Sequence, residues 1–181
     1  MTELGLIQLC ISKDPVAQRC LYEKYYHSSY SNAYRYLANH DDVEDVLSIS
    51  FTKIFDKIYK FEYRGNGSLK KWINTIVINE SLRLLDKSKM MFFNSDTELS
   101  VLTDESSDTD CLVSISDIYM IIESLPNDQR TVFNLFEIEG YSHSEIAVKL
   151  RISVNNSKVI LHRAKKRIQV IMLKDESYES R

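Results

Sequence analysis

Three stretches of this chain gather residue types that could do chemistry. Asp41, Asp42, Glu44 and Asp45 crowd carboxylates into one short segment, as general acid–base work would require. Clustered acids at a helix start also satisfy free backbone N–H groups and the helix dipole, which needs no reaction. No nucleophile, partner base or metal-ligand cluster converges on them, so no catalytic residue is assigned. The second stretch begins at Phe61 with FEYRGNGS. Its G-x-G is not a phosphate loop, because no strand precedes it and no G-K-[ST] follows. Arg64 and Asn66 in this loop, Lys70 and Lys71 beside Trp72, and Asn79 further on could hold an unstacked nucleic-acid strand by charge and stacking. By spacing alone, the ring of Trp72 reads as core. The third stretch, Ser153 to Val170, carries Ser157, Leu161, Ala164, Ile168 and Ile171 toward one side, with Lys158, His162, Arg163, Lys165, Lys166 and Arg167 largely on the rest. Ser142 and Glu145 form an S-x-x-E capping box that starts a short helix just before it. Two helices joined across Arg151, Ile152 and Ser153 have the pattern of a helix-turn-helix, whose second helix would enter a DNA major groove.

Helices must position all three. Gly and Pro number only 4 and 2, which disfavours a turn-rich sandwich or barrel and predicts an all-α chain. A first helix is expected from about Glu3 to Ser12. Asp14 and Pro15 then cap a second, along which Tyr22, Tyr25, Tyr26, Tyr30 and Tyr34 form a stripe of core and rim packing. Asp41 and Glu44 are expected to start the third helix, with Val43, Val46, Leu47, Phe51, Ile54, Phe55 and Ile58 buried. A fourth restarts near Ser68 with Leu69, Ile73, Ile76, Val77 and Leu84 inward. Periodicity then disappears from Asn94 to Asp110, a segment too polar to offset its ordering entropy, which is expected to be a flexible linker. Helical pattern resumes near Ser116 and continues through Ile118, Ile121, Ile122 and Leu125. After Pro126, a further helix carrying Val132, Phe133, Leu135 and Phe136 closes at Gly140.

The net charge of -3 conceals an uneven distribution: residues 118–174 hold nine Lys or Arg against five Asp or Glu, while residues 94–110 hold six acids and no base. Cys10, Cys20 and Cys111 lack C-x-x-C spacing, so neither a zinc site nor a disulfide framework is suggested. The N-terminal MTELGLIQLC lacks a basic leader, and no apolar run approaches the ~18 residues of a spanning helix. A cytoplasmic protein without membrane insertion, metal, cofactor or small-molecule substrate is expected.

These stretches together resemble bacterial RNA polymerase sigma factors of the extracytoplasmic-function (ECF) class. Leu125 to Ile168 is similar to the family's domain 4, and Asp42 to Phe55 with Phe61 to Leu85 is similar to its domain 2. The resemblance implies a domain 2 over residues 1–90, an acidic linker over 91–115 and a helix-turn-helix domain 4 over 116–174. It also implies core RNA polymerase and promoter DNA as partners, with an anti-sigma factor compatible but demonstrated by no residue. Asp42, Glu44 and Asp45 would then meet the polymerase clamp. Arg64 and Asn66 would read bases of the minus-10 element, Lys70 and Lys71 would hold strand phosphates, and Trp72 and Asn79 would form the melting face. Asn155, Asn156, Lys158, His162 and Arg163 would face the minus-35 element, with Lys165 and Lys166 on phosphates.

Departures from the family pattern stand at Ser48 and Ile49, in place of the usual Gln-Glu, and at Arg151, in place of the usual joint glycine. Val159 and Ile160 occupy positions where the family tends to have Ser and Arg. Arg151 is expected at positive φ, at a cost of about 1 kcal/mol. The implied function is a non-enzymatic initiation factor that directs polymerase to promoters and helps melt the minus-10 element. The alternative is a stand-alone helix-turn-helix regulator, which would bind duplex DNA tightly without polymerase.

Overall fold

The computed structural model describes residues 2–92 and 120–179, and every regular element there is helical. The local start signals operate largely as their chemistry dictates. Thr2 begins α1 (Glu3–Ile11) by accepting the Gly5 N–H. Asp14 begins α2 (Pro15–Leu37) by accepting the Ala17 N–H at 2.8 Å, with Pro15 in the first turn. For α3 (His40–Lys57), however, the cap is Asn39, whose Oδ1 accepts the Asp42 N–H at 3.0 Å. Asp41 and Asp42 therefore serve the dipole from inside the first turn, and the expected Asp41–Glu44 start is corrected. A 3-10 turn (Ile58–Lys60) follows, and the chain re-enters helix at α4 (Ser68–Phe92).

These helices form a first bundle. Leu21 and Tyr36 of α2, Val43, Val46, Leu47 and Ile54 of α3, and Leu69, Ile73 and Val77 of α4 are nearly inaccessible to solvent. Each such aliphatic side chain contributes about 1.5–3 kcal/mol through burial, so this core fixes the faces that remain outside. Lys53 Nζ meets Glu80 Oε1 at 2.6 Å across α3 and α4.

The second unit is described from residue 120, which leaves the expected helix start near Ser116, Ile118 and the acidic 94–110 segment outside the described residues. Residues 120–123 are helical, and Pro126 precedes α5 (Asn127–Phe133). This helix widens into a π turn over Asn134–Ile138, in which the Glu139 N–H donates to the Asn134 carbonyl at 3.0 Å. Gly140, at φ 75°, supplies the left-handed exit that glycine takes most easily. α6 (His143–Leu150) and α7 (Val154–Glu179) complete the unit around Ile121, Ile122, Leu125, Val132, Leu135, Ile146, Leu161 and Ala164.

The two units touch, which the sequence pattern does not predict. The last carbonyls of a helix lack intrahelical partners, and at the end of α2 two of them are satisfied by α5 and its π turn. Arg130 Nε donates to the Tyr36 carbonyl at 3.1 Å, and Asn134 Nδ2 donates to the Arg35 carbonyl at 2.8 Å. Arg130 is only 4% exposed. Its other nitrogens donate to the Glu123 carbonyl at 2.9 Å and to Asn127 Oδ1 at 2.7 Å. Burial lowers the guanidinium pKa, while the nearby Glu123 opposes that shift. Placed at the negative end of α2, the cation also gains from the helix dipole. Arg35 completes the seam through an ion pair with Glu139 at 2.9 Å, in which the side chains are 10% and 18% exposed.

Candidate nucleic-acid interface

The α6–α7 pair is built by local chemistry that the sequence displays. Ser142 N–H donates to Glu145 Oε2 at 2.8 Å while Glu145 N–H donates to Ser142 Oγ, closing the expected capping box. The Ser142 hydroxyl, which donates to the same Oε2 at 2.7 Å, and then the Ser142 N–H hold the Glu145 carboxyl below its ordinary pKa. At the joint, Arg151 adopts φ 56° and ψ 42°, as expected for a position where glycine would be unstrained. Ser153 then accepts the Asn156 N–H at 3.0 Å and starts α7.

One face of α7 packs and the other is free. Ser157, Leu161 and Ala164 are buried as the periodicity requires, and His143 Nδ1 lies 2.9 Å from Ser157 Oγ. Asn155, Asn156, Lys158, His162 and Lys166 are exposed, and Arg163 is half-buried. Lys165 is exposed but engaged by Glu137 Oε1 at 2.8 Å. The two atypical residues separate: Val159 is 41% exposed, whereas Ile160 is 8% exposed and packs inward. Ile160 is therefore a packing residue, not an outward one, because its position on the 100° wheel lies at the edge of the buried arc.

A separate cleft of about 660 Å³ lies in the first bundle, lined by Lys60, Phe61, Glu62, Arg64, Asn66, Gly67, Ser68, Lys71 and Trp72. Phe61 and Trp72 pack with ring centroids 5.3 Å apart, so the indole is half-buried and also borders the cleft. The loop above it is held by Ser68 Oγ, which donates to the Gly65 carbonyl at 2.6 Å and accepts the Arg64 N–H at 3.2 Å. Tyr63 donates to Asn66 Oδ1 at 3.2 Å, and Arg64 pairs with Glu62 at 2.9 Å on the solvent side. Arg64, Asn66, Lys71 and Trp72 are thus brought together. Lys70 is exposed on the neighbouring face of α4 and does not line the cleft. Asn79 stands apart from it at the seam between the units, where its Oδ1 accepts from Lys149 Nζ at 2.7 Å. Lys60 also lines the cleft and has no expected role there, while Phe61 opens the expected segment without a role of its own.

Asp42, Glu44 and Asp45 form an exposed acidic face on α3, continued by Ser48 and Ile49. Tyr26 of α2 donates to Glu44 Oε1 at 2.6 Å, and this bond with partial burial pushes the phenol pKa up to about 12. The tyrosine stripe, read as packing from sequence, thereby buttresses an acid on this face. Among the described residues no group of His, Cys, Asp or Glu could hold a metal ion, and no helix is long and apolar enough to cross a membrane.

Comparisons with known proteins fall on these same units. The family model for sigma-70 region 2 matches residues 21–90, and that for sigma-70 region 4 matches residues 115–168. An ECF RNA polymerase sigma-E factor of Salmonella typhimurium is 26% identical over 181 residues, spanning 93% of each chain. Among solved structures, CnrH in complex with the cytosolic domain of CnrY is similar with a TM-score of 0.50 at 18% identity, over 94% of this chain and 96% of that one. The sigma factor RpoE in complex with the anti-sigma factor NepR from Bartonella quintana gives a TM-score of 0.50 at 22% identity, over 85% and 95%. At these identities the structural likeness concerns the fold.

Proposed function

Because the chain belongs to the sigma-70 family, in its extracytoplasmic-function class, and so has an RNA polymerase sigma-factor role in transcription initiation, we propose how its surfaces divide that work. The acidic face of Asp42, Glu44 and Asp45 binds core RNA polymerase. The exposed face of α7 engages the minus-35 element, with Lys158, Arg163 and Lys166 supplying charge to phosphates. The Phe61–Trp72 cleft captures an unstacked base of the minus-10 element as the duplex melts. An anti-sigma factor is a further partner in this reading, supported by the complex of the similar RpoE with the anti-sigma factor NepR.

The observation that carries the proposal is the pairing, in one chain, of a capped helix-turn-helix with a distinct cleft lined by Arg64, Lys71 and Trp72. A base entering the cleft would stack on an aromatic face while Arg64 and Lys71 meet its flanking phosphates, an arrangement suited to single strands. The duplex-reading helix needs no such cleft, because a major groove admits it whole. Two modes of recognition therefore serve two states of one promoter.

This division requires the units to part. The minus-10 and minus-35 positions are about 85 Å apart along B-form DNA, taking about 34 Å per ten base pairs. A compact chain of 181 residues has a radius of gyration of about 16 Å and a diameter near 40 Å. The seam at Arg130, Asn134 and the Arg35–Glu139 pair belongs to a closed form, and promoter engagement draws the units apart.

Co-purification with cognate core polymerase, followed by run-off transcription from a genomic promoter library, tests the proposal. Core-dependent, promoter-specific transcripts are expected. Failure to bind core at moderate salt, or tight duplex binding that polymerase does not alter, would favour a stand-alone regulator.

A further inference from the structure

The direction of each side chain on α7 narrows what its outer face can read. Four buried residues, Ser157, Ile160, Leu161 and Ala164, define the inward side. At 100° per residue, the direction opposite to their mean is occupied by Asn155, Val159, His162 and Lys166, a ridge at i, i+4, i+7 and i+11. Asn155, His162 and Lys166 are exposed and Val159 is 41% exposed, so burial and angle agree. Lys158 and Arg163 lie on opposite flanks of this ridge, each more than half a right angle from its centre. Flanking cations face the two walls of a groove, where the phosphates are, and the ridge faces its floor.

The chemistry of the ridge is selective. An Asn amide, with a donor and an acceptor side by side, matches the N6–H and N7 of adenine, and an aliphatic side chain packs on the thymine methyl. Guanine is matched by a bidentate Arg or Lys, and the first two turns of the ridge contain neither. Lys166 lies about 16 Å along the helix from Asn155, at 1.5 Å per residue, beyond the base-reading turns, where it meets phosphate. Asn155 and Val159 are separated by about 6 Å of rise, close to two base-pair steps. Neither Asn155 nor His162 is engaged by another described residue, which leaves the amide available.

We propose that the ridge of α7 reads two A·T pairs two steps apart at the minus-35 element, with Asn155 on adenine and Val159 on a thymine methyl. Val159 is then the specificity-determining residue at its base pair, and Ile160, 8% exposed, has no part in readout. The inference rests on the sigma-factor reading above and specifies the DNA that its upstream surface accepts.

The test uses holoenzyme reconstituted from the full chain and core polymerase, with a library randomised at minus-35 above a fixed minus-10 element, sequenced after run-off transcription. Core binding is scored separately by co-purification. A·T enrichment is expected at two positions two steps apart, each with about 5- to 150-fold discrimination, the range of a good base contact. Asn155→Ala flattens the adenine preference at one position only. Val159→Arg shifts the other toward G·C, a gain that requires a folded helix. A chain that binds core yet returns a flat library, or a G·C preference abolished by Lys158→Ala, overturns the inference alone. A chain that does not bind core overturns the sigma-factor reading and this inference with it.

Discussion

Reversing one charge at the seam should open the molecule. Glu139 lies 2.9 Å from Arg35, and both side chains are largely shielded, so water screens their attraction weakly. At an effective dielectric of 20, unit charges about 4 Å apart interact by about 4 kcal/mol, an upper bound before desolvation is subtracted. A charged hydrogen bond in such a setting contributes about 1.5–3 kcal/mol net. Glu139→Lys removes that term and adds repulsion, which the lysine relieves in part by turning toward solvent. A loss of about 2–4 kcal/mol follows, lowering the closed-to-open ratio by about 30- to 800-fold. Small-angle X-ray scattering reads the result directly. The closed chain should have a radius of gyration near 16 Å, and units of about 90 and 60 residues with centres about 45 Å apart should give about 25 Å. The double exchange Arg35→Glu with Glu139→Arg should restore the compact value. An unchanged radius in Glu139→Lys, or a double exchange that stays expanded, would refute the assignment of this pair to the clasp.

Other expectations concern the separate surfaces. Trp72→Ala should weaken capture of an unpaired minus-10 strand by about 5- to 100-fold, read by fluorescence of a 2-aminopurine probe, while Trp72→Phe retains most of it. Core binding should be unaffected in both. Arg151→Gly should raise stability by about 0.5–1 kcal/mol in urea unfolding, because glycine relieves the left-handed strain at φ 56° but costs some unfolded-state entropy. Glu145 has a depressed pKa, so its contribution is present above its unfolded value and lost as pH falls through the lower folded value. The melting temperatures of the parent and Glu145→Ala should therefore differ at pH 6 and converge toward pH 3.

Signals carried by neighbouring residues were legible before the fold was known. Asp14 with Pro15, Ser142 with Glu145, and Arg151 at the joint each act within a few positions of themselves. Asn39 was missed because three potential caps stand close together in Asn39, Asp41 and Asp42, and only backbone geometry selects among them. Arg130 could not be recognised as buried, since the Tyr36 carbonyl that receives it lies 94 positions away. The π turn at Asn134 likewise has no periodicity of its own in sequence. In the candidate site, the loop residues Arg64 and Asn66 and the helical Lys71 and Trp72 were chosen by type and do converge on one cleft. Asn79 has the same residue chemistry but is drawn to Lys149 instead, a contact that depends on how the two units meet. Ile160 shows the limit of positional analogy: an aligned position can face the groove in one helix and the core in another after a modest rotation.

The central claim is most directly tested by titrating fluorescently labelled chain with core RNA polymerase and comparing the parent with an Asp42→Lys, Glu44→Lys, Asp45→Lys triple variant. These side chains are exposed on α3, and the variant loses favourable charge in the first turn and the Tyr26–Glu44 bond, so circular dichroism is read alongside to establish that it stays helical. Saturable binding by the parent, promoter-specific transcripts from the resulting complex, and loss of both in the triple variant are expected. Equal binding by a folded triple variant would contradict the assigned polymerase face. Absence of binding by the parent would contradict the account as a whole.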